Sequence, residues 1–256
     1  MINNLLAYVK NIIAQFLVSD FIYRLIVKRA IKKEFLLLNY GNLSVINQPV
    51  YIKSLIYFNI YEKSEINTIK KYINKNIPVV ELGSSIGVTT LLCCSLVNNN
   101  CHVVAVEANP KLINNLNNTK FANKYEKLNI FHAAIDYSGH DYIDFAIDPN
   151  NLGSKKNDGK CLFDSTLVLS TQLNSLLLKY KIREYQLVAD IEGAEIEIFL
   201  NEKREIFLGC NLIIIELHDT RYQGIQYNKF QISEIIATKT NMRIAETDGK
   251  TWVFIK

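Results

Sequence analysis

The stretch "ELGSSIGVTT", Glu81 to Thr90, decides how the rest of this sequence is read. Two glycines four residues apart separate a short apolar run from an uncharged, helix-like stretch. A strand that turns through glycine into a helix forms the ligand corner of open α/β sheets, because free N–H groups at the helix start face the ligand. Gly83 suits backbone angles that other residues avoid, and Gly87 suits a close approach of helix and strand. Outward from this turn, apolar strands alternate with helices. "IPVVEL" ends at Leu82 and "HVVAVE" at Glu107. "LNIFHAA" follows a helix that opens at Pro110 and runs to about Asn123. "QLVAD" covers Gln186 to Asp190, and "NLIIIEL" covers Asn211 to Leu217. Further helices are expected from Ser64, as cap, to about Ile73, over Thr89–Val97, near Leu173–Tyr180 and around Lys229–Thr238. "MRIAETDGKTWVFIK" reads as two strands about an Asp-Gly turn, a terminal hairpin. Short apolar strands alternating with helices predict a parallel sheet covered on both faces, with an antiparallel strand added by the hairpin.

The chain has 256 residues, which suits one large domain with an appendage. Residues 1–60 are expected to form the appendage, helical over 1–35 and mixed over 36–60, with a β-like alternation around Val50–Ile60. Residues 61–256 carry the sheet. An insertion at about 136–185 separates the third and fourth strands, and a connection that long usually carries function, so it is expected to meet the acceptor. A hydrophobic fraction of 49% supports a sizeable core, and a net charge of +4 gives no argument for nucleic acid. Cys93, Cys94, Cys101, Cys161 and Cys210 show no C-x-x-C spacing and read as reduced core residues. The histidines make no zinc pattern. The longest uncharged N-terminal stretch, Asn11 to Ser19, is short of the roughly 18 apolar residues a spanning helix needs. No targeting segment is apparent, so a cytoplasmic location is expected. Arg24, Lys28, Arg29, Lys32 and Lys33 stand at helical spacing beside Phe21, Ile22, Leu25 and Ile26. Such a helix can cover the domain, make a homodimer contact or lie on the inner face of the membrane, with the first two favoured.

The dinucleotide fingerprint G-x-G-x-x-G needs glycine at positions 85 and 88, which are Ser85 and Val88, so the turn is a poor match to NAD binding. Two carboxylates sharpen the alternative. Glu107 ends the second strand, where it can accept both hydroxyls of a ribose. Glu81 ends the first strand, where it can take a hydrogen bond from a cationic amine. A ligand with both a free ribose and an amino-acid ammonium is S-adenosylmethionine. The blocks "VVELGSSIGVTTLL", "VVAVEANP", "FHAAID", "LVADIEGAEIEIF" and "LIIIELHD" then follow in order. In this the chain resembles the FkbM-type S-adenosylmethionine-dependent methyltransferases over roughly residues 60–220. The D-x-E-G-A-E block is the most specific part. The resemblance implies a Rossmann-like class I methyltransferase fold with a mostly parallel seven-stranded sheet. It also implies O-methylation, often of sugar hydroxyls in glycans, nucleotide sugars or natural products. The chain departs from the family's common G-A-N-I-G turn, having Gly83-Ser84-Ser85-Ile86-Gly87. It also has Ala189 where the family usually has lysine before the aspartate.

The expected cofactor set is Glu81, Gly83, Ser84, Ser85, Gly87, Glu107, Ala108 and Asn109, with Ala133, Ala134 and Asp136 around the adenine. His132 is the weakest member of that wall. Asp190 is placed near the methionine part or the acceptor. Methyl transfer needs positioning and a general base for the hydroxyl. Asp190 and Glu192 are two apart, as are Glu216 and His218, so each pair points to one side of its strand. Asp190, Glu192 and His218 are the candidate catalytic groups. Glu195 falls on the next helix as a cap or surface residue. Asn151, Ser154, Glu216, Arg221 and Tyr222 are candidate acceptor contacts. No metal is required, although the four ionisable groups could hold a divalent cation instead. The alternative readings are a lipid or secondary-metabolite acceptor, or a non-catalytic scaffold of the same fold.

Overall fold

A computed structural model of the chain describes residues 16–148, 155–156 and 164–256. Its centre is a seven-stranded sheet: β1 (Val79–Leu82), β2 (Val103–Glu107), β3 (Leu128–His132), β4 (Tyr185–Ala189), β5 (Cys210–Glu216), β6 (Arg243–Thr247) and β7 (Thr251–Ile255). The spatial order is β3-β2-β1-β4-β5-β7-β6. All strands run parallel except β7, which pairs antiparallel with both β5 and β6. The expected terminal hairpin is therefore present, with its second strand inserted inside the sheet.

The strand sequences explain this arrangement. β1, β2 and β4 are buried along their whole length. Successive residues feed opposite layers, as the pleat requires. Leu187 and Ala189 pack in one core with Leu82, Ile213 and Phe254. Val188 packs in the other with Val79, Val103, Ile214 and Val253. On that second face lie α1 (Lys63–Tyr72), α2 (Val88–Leu96) and α3 (Pro110–Asn123). On the first lie α4 (Leu173–Lys179), α5 (Glu195–Asn201) and α6 (Lys229–Thr240). Both faces of a parallel sheet are thus covered, as its continuous apolar strands demand.

Three expectations need correction. Val50–Tyr57 is an α-helix, not a β-like run. Ile52 and Ile56 lie one turn apart and both enter the core, a spacing that strand alternation also satisfies. The cap of α1 is Glu62, in the left-handed region at φ 47°, and not Ser64. The Ser64 hydroxyl instead donates to Asp248 in the β6–β7 turn. Helical structure ends at Ala30 rather than residue 35, and Ile31–Lys32 starts an antiparallel set with Phe35–Leu38 and Gly41–Ser44. That set is stitched to α3. Asn123 Oδ1 accepts the Asn42 N–H at 2.8 Å, and Thr119 Oγ1 accepts the Ser44 N–H at 3.0 Å. In the insertion, Tyr142–Ala146 pairs antiparallel with Ser165–Thr171, which leads into α4.

Candidate functional site

Strand order reverses between β1 and β4, where β2 lies to one side of the pair and β5 to the other. Ligands bind at such reversals, beyond the carboxyl ends of the strands. A cavity of about 550 Å³ opens there. Its floor is the turn after β1. Gly83 has φ +84°, and a Cβ on it would stand 1.9 Å from the carbonyl oxygen of Asp190. The two turns, after β1 and after β4, touch backbone to backbone only because that position has no side chain. Gly87, at φ +93°, plays the second role differently from expectation. Its absent Cβ would meet Leu116 of α3 at 2.8 Å rather than a strand, and it does not line the cavity.

Ser85 sits in the left-handed region at φ 48°, where asparagine is the more usual non-glycine residue. Two bonds hold it there. Its N–H donates to Glu107 Oε2 at 2.6 Å, and its hydroxyl lies 3.2 Å from the hydroxyl of Tyr61. Glu107 Oε1 accepts the N–H of Asn109 at 2.7 Å, and Asn109 in turn caps α3 by accepting the Lys111 N–H at 3.0 Å. Burial pushes the Glu107 carboxyl upward despite these bonds. Gly83, Ser85, Glu107, Ala108, Asn109, Ala133 and Ala134 all line the cavity. Glu81 does not: it lies beneath the turn, with Oε2 accepting from Thr90 at 2.5 Å and Oε1 buried without a hydrogen-bond partner. Burial raises its pKa to about 7. Ser84 is buried as well and donates to the Val106 carbonyl at 3.3 Å.

The opposite rim is acidic. The D-x-E-G-A-E block forms a turn with Glu192 at φ 53° and Gly193 at φ 101°. Glu195, fully buried, ties this turn: its Oε1 accepts the N–H groups of Ile191 at 3.1 Å and Gly193 at 3.2 Å. This role was not read from the sequence, which placed Glu195 as a cap or surface residue. The same oxygen lies 3.2 Å from His218 Nδ1, and His218 Nε2 lies 3.1 Å from Glu216 Oε1. Glu192 and Asp190 stand 3.6 and 4.0 Å from Nε2. Burial opposes a charge on His218, yet the bonds to Glu195 and Glu216 carry its pKa up to about 11. The Asp190 pKa is raised as well: burial and then its neighbours Glu216 and Glu192 lift it to about 7. Its Oδ1 is buried without a hydrogen-bond partner. Glu216 also binds Lys250 at 2.5 Å and is held below the usual range by His218 and Lys250, against the effect of burial.

Asp190, Glu192 and Glu216 line the cavity, and His218 stands directly behind them. One atom each from Asp190, Glu192 and His218 falls within 4.8 Å of the others, a spacing a divalent ion can bridge. His218 would first have to give up Glu195 or Glu216. Asp136 is not part of the lining. It accepts from Ser138 and, at 2.8 Å, from Lys156, which also reaches Glu197 at 2.6 Å. The ring of His132 lies exposed, with Nε2 at 3.1 Å from the Ala108 carbonyl. Arg221 and Tyr222 lie on a separate two-stranded ribbon and do not line the cavity. Asn151 and Ser154 fall outside the described residues. The sequence reading missed Tyr61, Glu62, Glu65, Lys156 and Lys250, all of which line the cavity. Glu62 and Glu65 are both pushed up, first by burial and then by neighbouring acids.

Residues 81–242 match the methyltransferase FkbM domain. The chain belongs to the FkbM methyltransferase family. Its cofactor is S-adenosylmethionine. No curated protein matches the sequence. Among solved structures, the chain is similar to fibrillarin from Aeropyrum pernix, a complex with natively bound S-adenosyl-L-methionine. The identity is 12% and the TM-score 0.43, over 75% of this chain and 73% of that one. It is also similar to a ribosomal protein L11 methylase from Lactobacillus delbrueckii subsp. bulgaricus, at 13% identity and TM-score 0.42, over 77% and 78%. A S-adenosylmethionine-dependent methyltransferase from Aquifex aeolicus matches at 10% and 0.40, over 78% and 94%. These likenesses are distant and decide nothing about the acceptor. The cavity of this FkbM-family chain suits a cationic nucleoside: a floor without side chain at Gly83, a small apolar wall at Ala133–Ile135, and carboxyls of Glu62, Glu65 and Asp190 at one end.

Proposed function

We propose that this FkbM-family chain is an O-methyltransferase whose acceptor is a hydroxyl of a sugar, either nucleotide-linked or part of a surface glycan, and that it works in the cytoplasm. Bound S-adenosylmethionine supplies a methyl group on a positively charged sulfur. Glu107 holds the ribose: each of its oxygens already accepts one backbone N–H and keeps a further lone pair for a hydroxyl. Ala108, Asn109, Ala133 and Ala134 frame the adenine. Glu62 and Asp190 face the cationic end. On the open side, Glu192, Glu216 and Lys250 offer acceptors and a donor to a polyhydroxyl ring. A sugar is favoured over an apolar acceptor because this rim is charged.

The observation that carries the chemistry is Asp190. It follows the end of β4 and lines the cavity, its Oδ1 has no hydrogen-bond partner, and its pKa of about 7 suits a group that takes a proton near neutrality. Asp190 is the base that receives the hydroxyl proton as the acceptor oxygen takes the methyl. His218, protonated and bonded on both ring nitrogens, holds Glu195 and Glu216 in place instead of acting as base.

The test is methyl transfer from labelled S-adenosylmethionine to a nucleotide-sugar panel and a glycan extract, followed over pH 5.5–9. Asp190→Asn should lose about a hundredfold or more of turnover at saturating cofactor. His218→Gln should be slower and, because the His218 cation lowers the Asp190 pKa, should move the profile to higher pH without flattening it. If His218→Gln flattens that profile and Asp190→Asn does not, the base is His218. If no sugar-bearing acceptor is labelled while the cofactor binds, the acceptor class is wrong.

A further inference from the structure

The helical segment from Asp20 to Ala30 touches the body of the protein along a narrow line. Only Ile22 and Val27 are buried, and it packs on the helix Val50–Tyr57. Five residues separate them, which an α-helix would place on different sides. Tyr23–Val27 is instead a π-helical turn with i→i+5 periodicity, and that brings both side chains to the inward face. As a result Phe21, Leu25 and Ile26 point away from the core, 67%, 45% and 39% exposed. Arg24, Lys28, Arg29, Lys32 and Lys33 are exposed around them. Between Asp20 and Lys33 stand five basic residues and one acid, an excess of four that matches the whole chain's net charge of +4. The basic character of this protein is therefore concentrated on one apolar-faced segment, and the remainder is balanced.

From this we infer that the segment Asp20–Lys33 docks the protein on an anionic lipid surface. Charge complementarity selects the occupant. A second copy would bring five like charges against five, whereas anionic headgroups neutralise them as Phe21, Leu25 and Ile26 enter the headgroup–acyl boundary. Among the described residues no helix is long and apolar enough to cross a membrane, so the segment would lie on the surface. The helix it packs on contributes Leu55 to the cavity, which sets the docking face one layer from the methyl-transfer site. The inference stands apart from the acceptor's identity.

The experiment is sedimentation of the full chain with extruded vesicles of phosphatidylcholine alone or mixed with phosphatidylglycerol, at low and high salt. Binding is expected only to the anionic vesicles and should weaken with salt. Each basic residue near such a surface contributes about fivefold in affinity. The variant K28Q/R29Q/K32Q/K33Q should therefore bind about a hundredfold more weakly or worse. The variant F21S/L25S/I26S should lose binding at unchanged charge. Both should keep the parent's Tm and cofactor affinity, which separates lost docking from a damaged fold. Equal sedimentation with both vesicle types, no sedimentation with either, or binding unaffected by the substitutions would overturn the inference. So would light scattering showing a dimer that F21S/L25S/I26S converts to monomer without any vesicle dependence.

Discussion

Glu107 shows how one side chain can serve both the fold and the ligand. Its two oxygens accept the N–H groups of Ser85 and Asn109, so it fixes the left-handed serine of the glycine turn and the start of α3 at once. Glu107→Gln keeps the volume but turns an amide NH₂ toward one of those N–H groups. Loss of a charge-assisted bond of this kind costs about 1.5–3 kcal/mol. Calorimetric titration should then show cofactor affinity weaker by about tenfold or more, with a lower Tm. An unchanged affinity would mean that the ribose is held elsewhere. The spacing of Asp190 with Glu192 and of Glu216 with His218 pointed to a cluster of these four groups, although Asp190 and Glu192 meet it through the turn after β4 and not through strand alternation. It could not show which of them is protonated. That depends on Glu195, whose buried carboxylate reaches His218 from the following helix, and on Lys250, which arrives from the terminal hairpin.

At the scale of elements, the glycine turn makes a quantitative claim. A Cβ at position 83 would collide with the backbone of Asp190, which cannot move without shifting β4. A Cβ at position 87 would meet the end of the Leu116 side chain, which can rotate. Both also carry the strain of a positive φ, on the order of 1–3 kcal/mol. Urea denaturation should therefore show Gly83→Ala as clearly more destabilising than Gly87→Ala, and equal losses would contradict the close contact of the two turns. The strands were legible because each is a short apolar run between polar turns, and parallel pairing followed from their alternation with helices, whereas the order of the strands was not read. The helix Val50–Tyr57 was not legible, since Ile52 and Ile56 fit a two-residue period as well as one helical stripe. Nor was the segment Tyr61–Glu65 legible as part of the site. Its residues reach the cavity from before β1, and no local pattern announces a contact made by a preceding loop.

Across the whole molecule, the cavity and the turn beneath it concentrate acids that the fold holds above their ordinary pKa. Glu81 stands at about 7 against 4.5, and Asp190 at about 7 against 3.8. A carboxyl raised in the folded state remains protonated where the open chain has already ionised. Its contribution is present below the unfolded pKa and is lost as pH rises to the folded value, here between about 4 and 7. His218, raised to about 11 from 6.5, continues the same trend above pH 6.5. Asp136 and Glu216, both lowered, oppose it only in acid. The ligand-free protein should therefore lose urea resistance steadily from pH 5.5 to 8.5. Asp190→Asn should reduce the slope below pH 7, and the cationic cofactor should restore resistance most at the alkaline end. A flat profile would show that the acids are not held protonated.

The pairing of β1 also has a consequence in time. Val79 finds Val103 on one side soon after it in the chain, but its other partner, Gln186, comes only after the whole insertion. During synthesis the apolar edge of β1 therefore stays open while β2 and β3 are already available to pair, and such unpaired edges are where chains associate wrongly. The hairpin and the helix α4 between β3 and β4 then set the waiting time before the fold can seal its own ligand corner.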